Sequence, residues 1–338
     1  MSGNEIQIAG QSIAPGTRER IRIPLSRRVT GAEVSLPVEV VNGRKAGPRL
    51  FVSAAVHGDE INGVEIIRRV LARRVLARLR GTLIAVPVVN LFGFTALARY
   101  LPDRRDLNRS FPGSPSGSMA ARLAHTFLTE VVENATHGID LHTGAVHRSN
   151  LPQIRACLDH AETARLAHTF GVPVLINANV RDGSLRQAVV DRDIPMLLYE
   201  GGEALRFDEN AIRAGVNGVI SVMRTLEMLP PSRAQRTRPE PFVALSSHWV
   251  RAAESGILRS RMALGTLVNP GQRLGWISDP LGGEDVKVEA IKQGIVIGRT
   301  ELPLVNVGDA LFNIATFERA SEVSASVDEF RYELESSS

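Results

Sequence analysis

Two periods of hydrophobic residues run along most of the chain, one typical of strands and one typical of helices. Within residues 19–56, the stretches "RIRIPL" and "AEVSLPVEVV" alternate between apolar and polar positions, and each predicts a strand. The turn-forming residues "NGRKAGPR" then precede "LFVSAAV", an apolar run that predicts a buried strand. From Ile61 the apolar residues recur at helical spacing, so we expect a helix that ends near Arg80 and Gly81.

The following segments continue the alternation of strands and helices. "TLIAVPVVN" predicts another buried strand, which together with the preceding strand and helix indicates a parallel βαβ unit. "SMAARLAHTFLTEVVENA" predicts a helix with Ser118 as its N-cap. Helix and strand follow in "ETARLAHTFGVPVLIN", a strand in "IPMLLYEGG" and a long helix in "AIRAGVNGVISVMRTLEML". This part of the chain is therefore predicted to be α/β.

The pattern changes after residue 229. "PPSRAQRTRPEP", residues 230–241, has no apolar period and predicts a linker. Beyond it, short alternating runs separated by turn residues predict a small all-β domain, and the serine-rich, acidic end is expected to fray. We therefore predict an α/β domain over residues 1–235, a C-terminal β domain over 242–318 and an acidic tail over 319–338.

Composition and charge exclude several classes of function. The formal charge is +4, but the arginines are dispersed among acidic residues and aromatic residues make up 5%, so we expect no nucleic-acid partner. Cys157 is the only cysteine, which rules out an intrachain disulfide. The first residues lack the pattern of a signal peptide, and no window approaches the ~20 apolar residues of a membrane span. We expect a soluble, cytoplasmic protein.

Histidine and glutamate residues follow two of the predicted strands. In "HGDE", His57 and Glu60 are three residues apart, close enough for one turn to direct both at a point, and His142 in "IDLHTG" offers a third ligand. Two histidines and a glutamate form the ligand set of a catalytic zinc site. Asp140, on the same face of its strand as His142, could orient that imidazole. The alternatives are a capping turn in which Asp59 caps the helix and His57 is incidental, and a backbone-bonded His142.

A third motif, "RYLPDRRDLNRSFPG", supplies candidates for binding an anion. Arginine is always protonated and presents a planar fork to carboxylates, so Arg99 and Arg109 could bind an anionic substrate or an oxyanion. Asn108 could share a carboxylate with Arg109. The alternative is a solvated charged loop, which is our interpretation of Asp103, Arg104 and Arg105.

A carboxylate at the end of a later strand is the candidate for proton transfer. Glu200 in "LLYEGGE" follows an apolar strand and precedes two glycines, so its carboxylate would emerge where the backbone leaves room for a ligand. Near a metal it could take a proton from water. Glu203 is the rival, and we expect it to be solvated.

Taken in order, "HGDE", "RY…DLNRSFPG", "DLHTG" and "YEGG" resemble the succinylglutamate desuccinylase/aspartoacylase family, which belongs with the zinc carboxypeptidases. The resemblance covers most of residues 30–230. It implies a zinc-carboxypeptidase-like mixed sheet flanked by helices, and the C-terminal part resembles an all-β barrel-sandwich domain. It also implies one Zn²⁺ per chain and the following roles: His57, Glu60 and His142 hold zinc, Glu200 is catalytic, Arg99 polarises the carbonyl, and Asn108 with Arg109 binds a substrate carboxylate. Arg104 or Arg105 could serve instead of Arg99.

Three functions fit this pattern. The first is a zinc-dependent amidohydrolase that removes an acyl group from a small N-acyl amino acid or a similar carboxylate-bearing amide. The second is a metallopeptidase of the carboxypeptidase type, and the third is a non-catalytic binding protein on the same fold. The sequence leaves the acyl group and the formation of a homo-oligomer open.

Overall fold

The structure is a computed structural model that describes residues 5–27, 29–178, 182–232 and 240–336. Its α-helices are α1 (Asn62–Leu71), α2 (Leu91–Thr95), α3 (Met119–Phe127), α4 (Ala161–Phe170), α5 (Leu185–Val190), α6 (Glu209–Thr225) and α7 (Ala320–Ser336). The strands before α6 are β1 (Ile6–Ile8), β2 (Gln11–Ile13), β3 (Arg18–Arg27), β4 (Glu33–Asn42), β5 (Lys45–Ala54), β6 (Arg80–Val86), β7 (His137–Gly144), β8 (Arg148–Ala156), β9 (Val174–Asn177) and β10 (Met196–Glu203). Those after it are β11 (Phe242–Ala244), β12 (Ser246–Arg251), β13 (Gly256–Arg259), β14 (Leu267–Val268), β15 (Arg273–Ser278), β16 (Val286–Glu289), β17 (Gly294–Thr300), β18 (Leu304–Val305) and β19 (Ala310–Thr316).

A large mixed sheet organises the protein. Its main path runs in the order β12-β19-β17-β8-β10-β7-β5-β6-β4-β3. The four central strands β10, β7, β5 and β6 are parallel, whereas β4 and β3 on one side and β8 on the other are antiparallel to their neighbours. Apolar residues cover both faces: α1, α4 and α6 pack on one, and α3 and α5 on the other. The predicted α/β class with a mixed sheet flanked by helices is confirmed.

The helix after the first buried strand is shorter than predicted. It ends at Leu71, Arg73 is extended, and residues Arg74–Arg78 form a 3₁₀ turn, so the expected end near Arg80 is wrong. The break allows Leu76 and Leu79 to enter the core while the arginines around them stay exposed. Periodicity alone did not reveal it, because both segments expose arginine and bury leucine. By contrast, Ser118 caps α3 as predicted and accepts a hydrogen bond from the backbone N–H of Ala121.

The C-terminal β region has two parts. Strands β12, β19 and β17 extend the large sheet, since β17 pairs with β8 through the register Gly298 to Asn150 and Thr300 to Arg148. Strands β16, β15, β13 and β18 form a separate antiparallel sheet in that order. The predicted linker over 230–241 lies partly outside the described residues, and the domain boundaries stay a prediction.

The acidic tail is a helix rather than an irregular segment. α7 extends to Ser336, a helix that the sequence pattern did not predict; fraying was expected only at the end of the tail, and the last two residues lie outside the described residues. Val323, Val327 and Leu334 are buried against the two neighbouring apolar clusters. Each such burial stabilises the fold by about 1.5–3 kcal/mol, which outweighs the weak helix preference of the serines. Among the helices of the described residues, none combines the length and apolar character needed to span a membrane.

Candidate active site

The candidate site lies at the carboxyl ends of three adjacent parallel strands. His57 and Glu60 follow β5, His142 lies near the end of β7, and Glu200 lies near the end of β10. β7 is the middle strand of the three, and His142 and Glu200 are register partners in the β7–β10 ladder. Register partners project to the same face of a sheet, so Glu200 and His142 share one side.

The "HGDE" loop is held in place where Gly58 packs against the backbone of Gly93. A Cβ on Gly58 would lie 2.0 Å from the carbonyl carbon of Gly93 in α2, a distance that no side chain can adopt. The loop backbone therefore packs directly on the backbone of α2. Asp59 does not cap α1: the N-cap residue is Ile61, and no side chain bonds there. The capping-turn alternative is therefore wrong, and Asp59 is instead buried, which raises its pKa.

His57, Glu60 and His142 converge on one point. Their ligand atoms all lie within 4.8 Å of one another, and each residue is at most 4% exposed. Nδ1 of His57 lies 2.8 Å from Oε1 of Glu60, and Nδ1 of His142 lies 2.8 Å from Oε2 of the same carboxylate. Although it lies close to Glu60, the buried Nδ1 of His57 forms no well-oriented hydrogen bond with any described residue, as expected for an atom that binds a metal. Two imidazole nitrogens and one carboxylate oxygen suit zinc and leave a coordination position for water.

A second carboxylate holds the far side of each imidazole. Nε2 of His142 lies 2.7 Å from Asp140, which confirms the predicted pairing, and Ser53 donates to the same carboxylate. Nε2 of His57 lies 3.1 Å from Asp106, a residue that the sequence interpretation missed although it begins the "DLNR" motif. Such partners fix the ring orientation and direct Nδ1 of both histidines towards the centre.

The charges at this centre are strongly coupled. Burial by itself would raise the pKa of Glu60, but His57 and His142 outweigh burial and hold it well below its usual range. For the two histidines, burial has the opposite effect and lowers the pKa, but the carboxylates beside them raise the pKa by more. The raised pKa values favour the protonated imidazoles, so a cation that binds there competes with protons.

The structure brings Arg99, but neither of its alternatives, into the site. Arg99 donates to Oε1 of Glu60 at 3.0 Å and lies 3.5 Å from Asp106. Arg104 and Arg105 are exposed and do not line the cavity at the centre.

Asn108 and Arg109 both line that cavity, but they differ in how far their side chains are held by other hydrogen bonds. The side-chain oxygen of Asn108 accepts from the backbone N–H of Leu185 at 2.9 Å, so only its amide nitrogen remains to donate to a ligand. Arg109 is exposed, and one of its nitrogens donates to the backbone carbonyl of Asn108. Arg109 thus lines the cavity with guanidinium donors left over for a ligand.

Glu200 faces the cavity, whereas its rival Glu203 does not line it. Asn150 donates to Oε2 of Glu200 at 2.6 Å, and Nε of Arg155 lies 3.3 Å from Oε1. Glu203 contacts His147 and Arg206 at 3.9 and 3.6 Å instead. The expectation that Glu203 is solvated is wrong, since its side chain is only 12% exposed.

The cavity has a volume of about 510 Å³, and the C-terminal β region supplies part of its wall. Ser247, Trp249 and Asn313 come from β12 and β19, and the guanidinium of Arg148 lies 5.2 Å from the Trp249 ring centre. Sequence reasoning missed these residues because no local pattern links them to the motifs of the first half. The described lining contains five arginines against two glutamates, and the arginines are Arg99, Arg109, Arg148, Arg155 and Arg186.

Comparisons with known proteins agree with this geometry. The profile of the succinylglutamate desuccinylase/aspartoacylase catalytic domain matches residues 46–226, more than half of the chain. The N-alpha-acetyl-L-2,4-diaminobutyric acid deacetylase of Halomonas elongata is 29% identical over 313 residues, which cover 87% of this chain and 90% of that protein.

Solved structures show the same fold. A succinylglutamate desuccinylase/aspartoacylase from Rhodobacter sphaeroides has a TM-score of 0.79 at 26% identity, covering 89% of this chain and 96% of that one. The product-bound ectoine utilization protein EutE (DoeB) from Ruegeria pomeroyi has a TM-score of 0.80 at 23% identity, with coverage of 88% and 95%. The four motifs, the fold and the match over residues 46–226 lead to one conclusion: the chain belongs to the succinylglutamate desuccinylase/aspartoacylase family.

Proposed function

We propose that this protein is a zinc-dependent amidohydrolase that removes the acyl group from an N-acyl amino acid or a similar small carboxylate-bearing amide. One observation carries the proposal: the buried cluster of His57, Glu60 and His142 shares a cavity with the carboxylate of Glu200. A metal-ligand set with a proton acceptor beside it is the arrangement that metal-assisted hydrolysis requires.

The ligand atoms fit a zinc ion. His57 and His142 would each bind through Nδ1, and Asp106 and Asp140 would hold the opposite ring nitrogens. When bound there, zinc supplies Lewis acidity and lowers the pKa of water towards neutrality.

Glu200 is the proposed general base and acid. Its carboxylate accepts a proton from the attacking water and then passes that proton to the leaving amine. Arg99 remains charged throughout, and its guanidinium donates to the oxygen that gains negative charge as the carbonyl is attacked. Its present contact with Glu60 places this guanidinium next to the proposed metal position.

Asn108 and Arg109 are the proposed clamp for a substrate carboxylate. The excess of arginine over glutamate in the cavity also favours an anionic substrate. The deacetylase from Halomonas elongata, by its name, acts on an Nα-acetylated amino acid, which supports the proposed substrate class.

The peptidase alternative requires room for a longer chain. Here Ser247, Trp249 and Asn313 supply part of the wall of a cavity of about 510 Å³, a volume typical of sites for small ligands, which supports the smaller substrate. The non-catalytic alternative would be supported by the loss of a ligand or of Glu200, and all four residues are in place.

A substrate series tests this function. N-acetyl, N-succinyl and N-formyl amino acids should each be assayed beside the corresponding carboxamide. We expect hydrolysis of at least one free acid and a loss of about 2 kcal/mol or more in transition-state stabilisation for its amide, the scale of an unpaired charged hydrogen bond. Arg109→Ala should make acid and amide converge. Equal rates for acid and amide with the unmodified protein would contradict the clamp.

The role of Glu200 has its own test. Glu200→Gln should keep the fold and the zinc but lower kcat by about 10²-fold or more, because an amide cannot transfer the proton. Glu203→Gln is the matched control and should retain activity. If Glu203→Gln were the inactive variant, the proposed base would be wrong.

A further inference from the structure

We infer that Asn150 positions Glu200 for proton transfer, and that the C-terminal β region acts on this step through Gly298. The inference rests on the proposed function, because it concerns the geometry of the proposed base. Neither Asn150 nor Gly298 belongs to any of the four sequence motifs.

Both oxygens of the Glu200 carboxylate are held from β8. Asn150 donates to Oε2 at 2.6 Å, and Arg155 forms an ion pair with Oε1 at 3.3 Å. A glutamate side chain has several rotamers of similar energy, and a carboxylate that is free to change between them is seldom in the reactive position. A general base must lie within hydrogen-bond reach of the proton it accepts. These two contacts select one rotamer of Glu200, directed into the cavity.

An irregularity in β8 brings Asn150 to the active-site face. On β10, Glu200 pairs with Gln153 of β8, but Gly202, two residues later, pairs with Asn150, three residues earlier on β8. Successive side chains of a strand point to opposite faces, so in a regular ladder Asn150 would face away from Gln153 and Glu200. The extra residue of the bulge reverses this and directs the Asn150 amide towards Glu200.

Gly298 of β17 provides the space that the Asn150 amide occupies. Gly298 is the register partner of Asn150, and it follows a second irregularity, between β17 and β19. A Cβ at position 298 would lie 2.8 Å from Oδ1 of Asn150 and 3.3 Å from Cβ of Asn313. Any side chain there would displace the amide that holds Glu200. The C-terminal β region therefore contributes to the position of the base, because the missing side chain of Gly298 leaves room for the Asn150 amide.

Two substitutions of Asn150 separate hydrogen bonding from space filling. Asn150→Ala should lower kcat by about 10-fold to 100-fold, the effect of a misplaced catalytic group, with KM changed by less than about twofold. Asn150→Asp has the same shape but no amide donor, and it places a negative charge beside Glu200. We expect it to lose at least as much activity as the alanine variant. Wild-type kcat in Asn150→Asp would overturn the inference, because a residue that only fills space tolerates this change.

A double-mutant cycle tests the link to Gly298. Gly298→Ala should lower kcat in the unmodified protein but have little further effect in Asn150→Ala, where no amide remains to be displaced. An equal loss in both backgrounds would overturn the role of Gly298. Ser149→Ala, one residue away on β8, is the matched control. Zinc content and melting temperature are measured for every variant, and if Gly298→Ala does not fold, the Asn150 pair still decides the inference.

The outcome for Glu200→Gln distinguishes a failure of this inference from a failure of the proposed function. Full activity in Glu200→Gln would remove the proposed base, and the inference with it. Inactive Glu200→Gln combined with unchanged Asn150→Ala and Asn150→Asp would overturn the inference alone. In the Glu200→Gln background, Asn150→Ala should have no further effect on the residual rate, since no base is left to position.

Discussion

The contact between Asp106 and His57 gives a quantitative prediction for metal affinity. Asp106→Ala removes the carboxylate that lies 3.1 Å from Nε2 of His57, leaving the ring without its partner on that side. Loss of such a partner usually costs 10-fold to 100-fold in metal affinity, which corresponds to about 1.4–2.7 kcal/mol. The same carboxylate accepts from the backbone N–H of Asn108 at 2.8 Å, so the loop that carries Asn108 also loses a restraint. We therefore expect a loss near the upper end of this range.

Asp106→Asn should have a smaller effect. The amide oxygen can still accept from both His57 and the backbone N–H of Asn108, which share Oδ1 of Asp106, but the negative charge is gone. Because charged acceptors form hydrogen bonds roughly twice as strong as neutral ones, we expect a zinc affinity between those of the unmodified protein and the alanine variant.

The assay is competition for zinc between the apo-protein and a chromophoric chelator at pH 8. Asp103→Ala is the matched control, because Asp103 lies in the same loop but pairs only with Arg105 among the described residues and does not line the cavity. An affinity within twofold of the unmodified protein for Asp106→Ala would refute the reasoning. So would an equal loss in Asp103→Ala, since the effect would then belong to the loop rather than to the contact with His57.

Three further predictions concern the metal centre and its loop. His57→Ala should abolish bound zinc and activity, because two protein ligands hold the ion poorly, and stoichiometric zinc by elemental analysis would contradict the ligand set. Zinc affinity should fall from pH 8 to pH 6, because the pKa values of His57 and His142 are raised above 6.5 and protons compete with the metal. An affinity that does not change with pH in chelator competition would contradict this prediction. Gly58→Ala should lower the free energy of unfolding by about 1–3 kcal/mol or more, because its Cβ would overlap the backbone of Gly93. Chemical denaturation measures this change, and unchanged stability would show that the loop can move away.

The sequence was most informative where a function depends on residues close together in the chain. His57 and Glu60 lie in one turn, and Asp140 and His142 alternate on one strand, so their spacing alone brought each pair to one face. The strands β3 to β6 were predicted for the same reason, since alternation and apolar runs are local properties, whereas β1, β2 and β8 were not predicted.

Features that depend on distant pairing left no such signal. Asn150 reaches Glu200 only because β8 contains a bulge, and Gly298 meets Asn150 only because β17 pairs with β8. Neither the bulge nor the pairing can be deduced from the periodicity of one strand. The helix α7 was missed because its stability comes from burial against the sheet rather than from its own serine-rich sequence.

The pairing of β17 with β8 also determines how substrate can enter and leave. Two domains joined only by a linker can separate about a hinge, and such closure often limits turnover on the microsecond to millisecond scale. Here the cavity wall continues the sheet that carries the catalytic strands, so a hinge opening would have to break the ladder at Gly298, Arg299 and Thr300. Substrate exchange should therefore depend on side chains that line the cavity, such as Arg148 against Trp249, rather than on a hinge between domains. We therefore expect access to this centre to depend on the motion of side chains rather than on the motion of a domain.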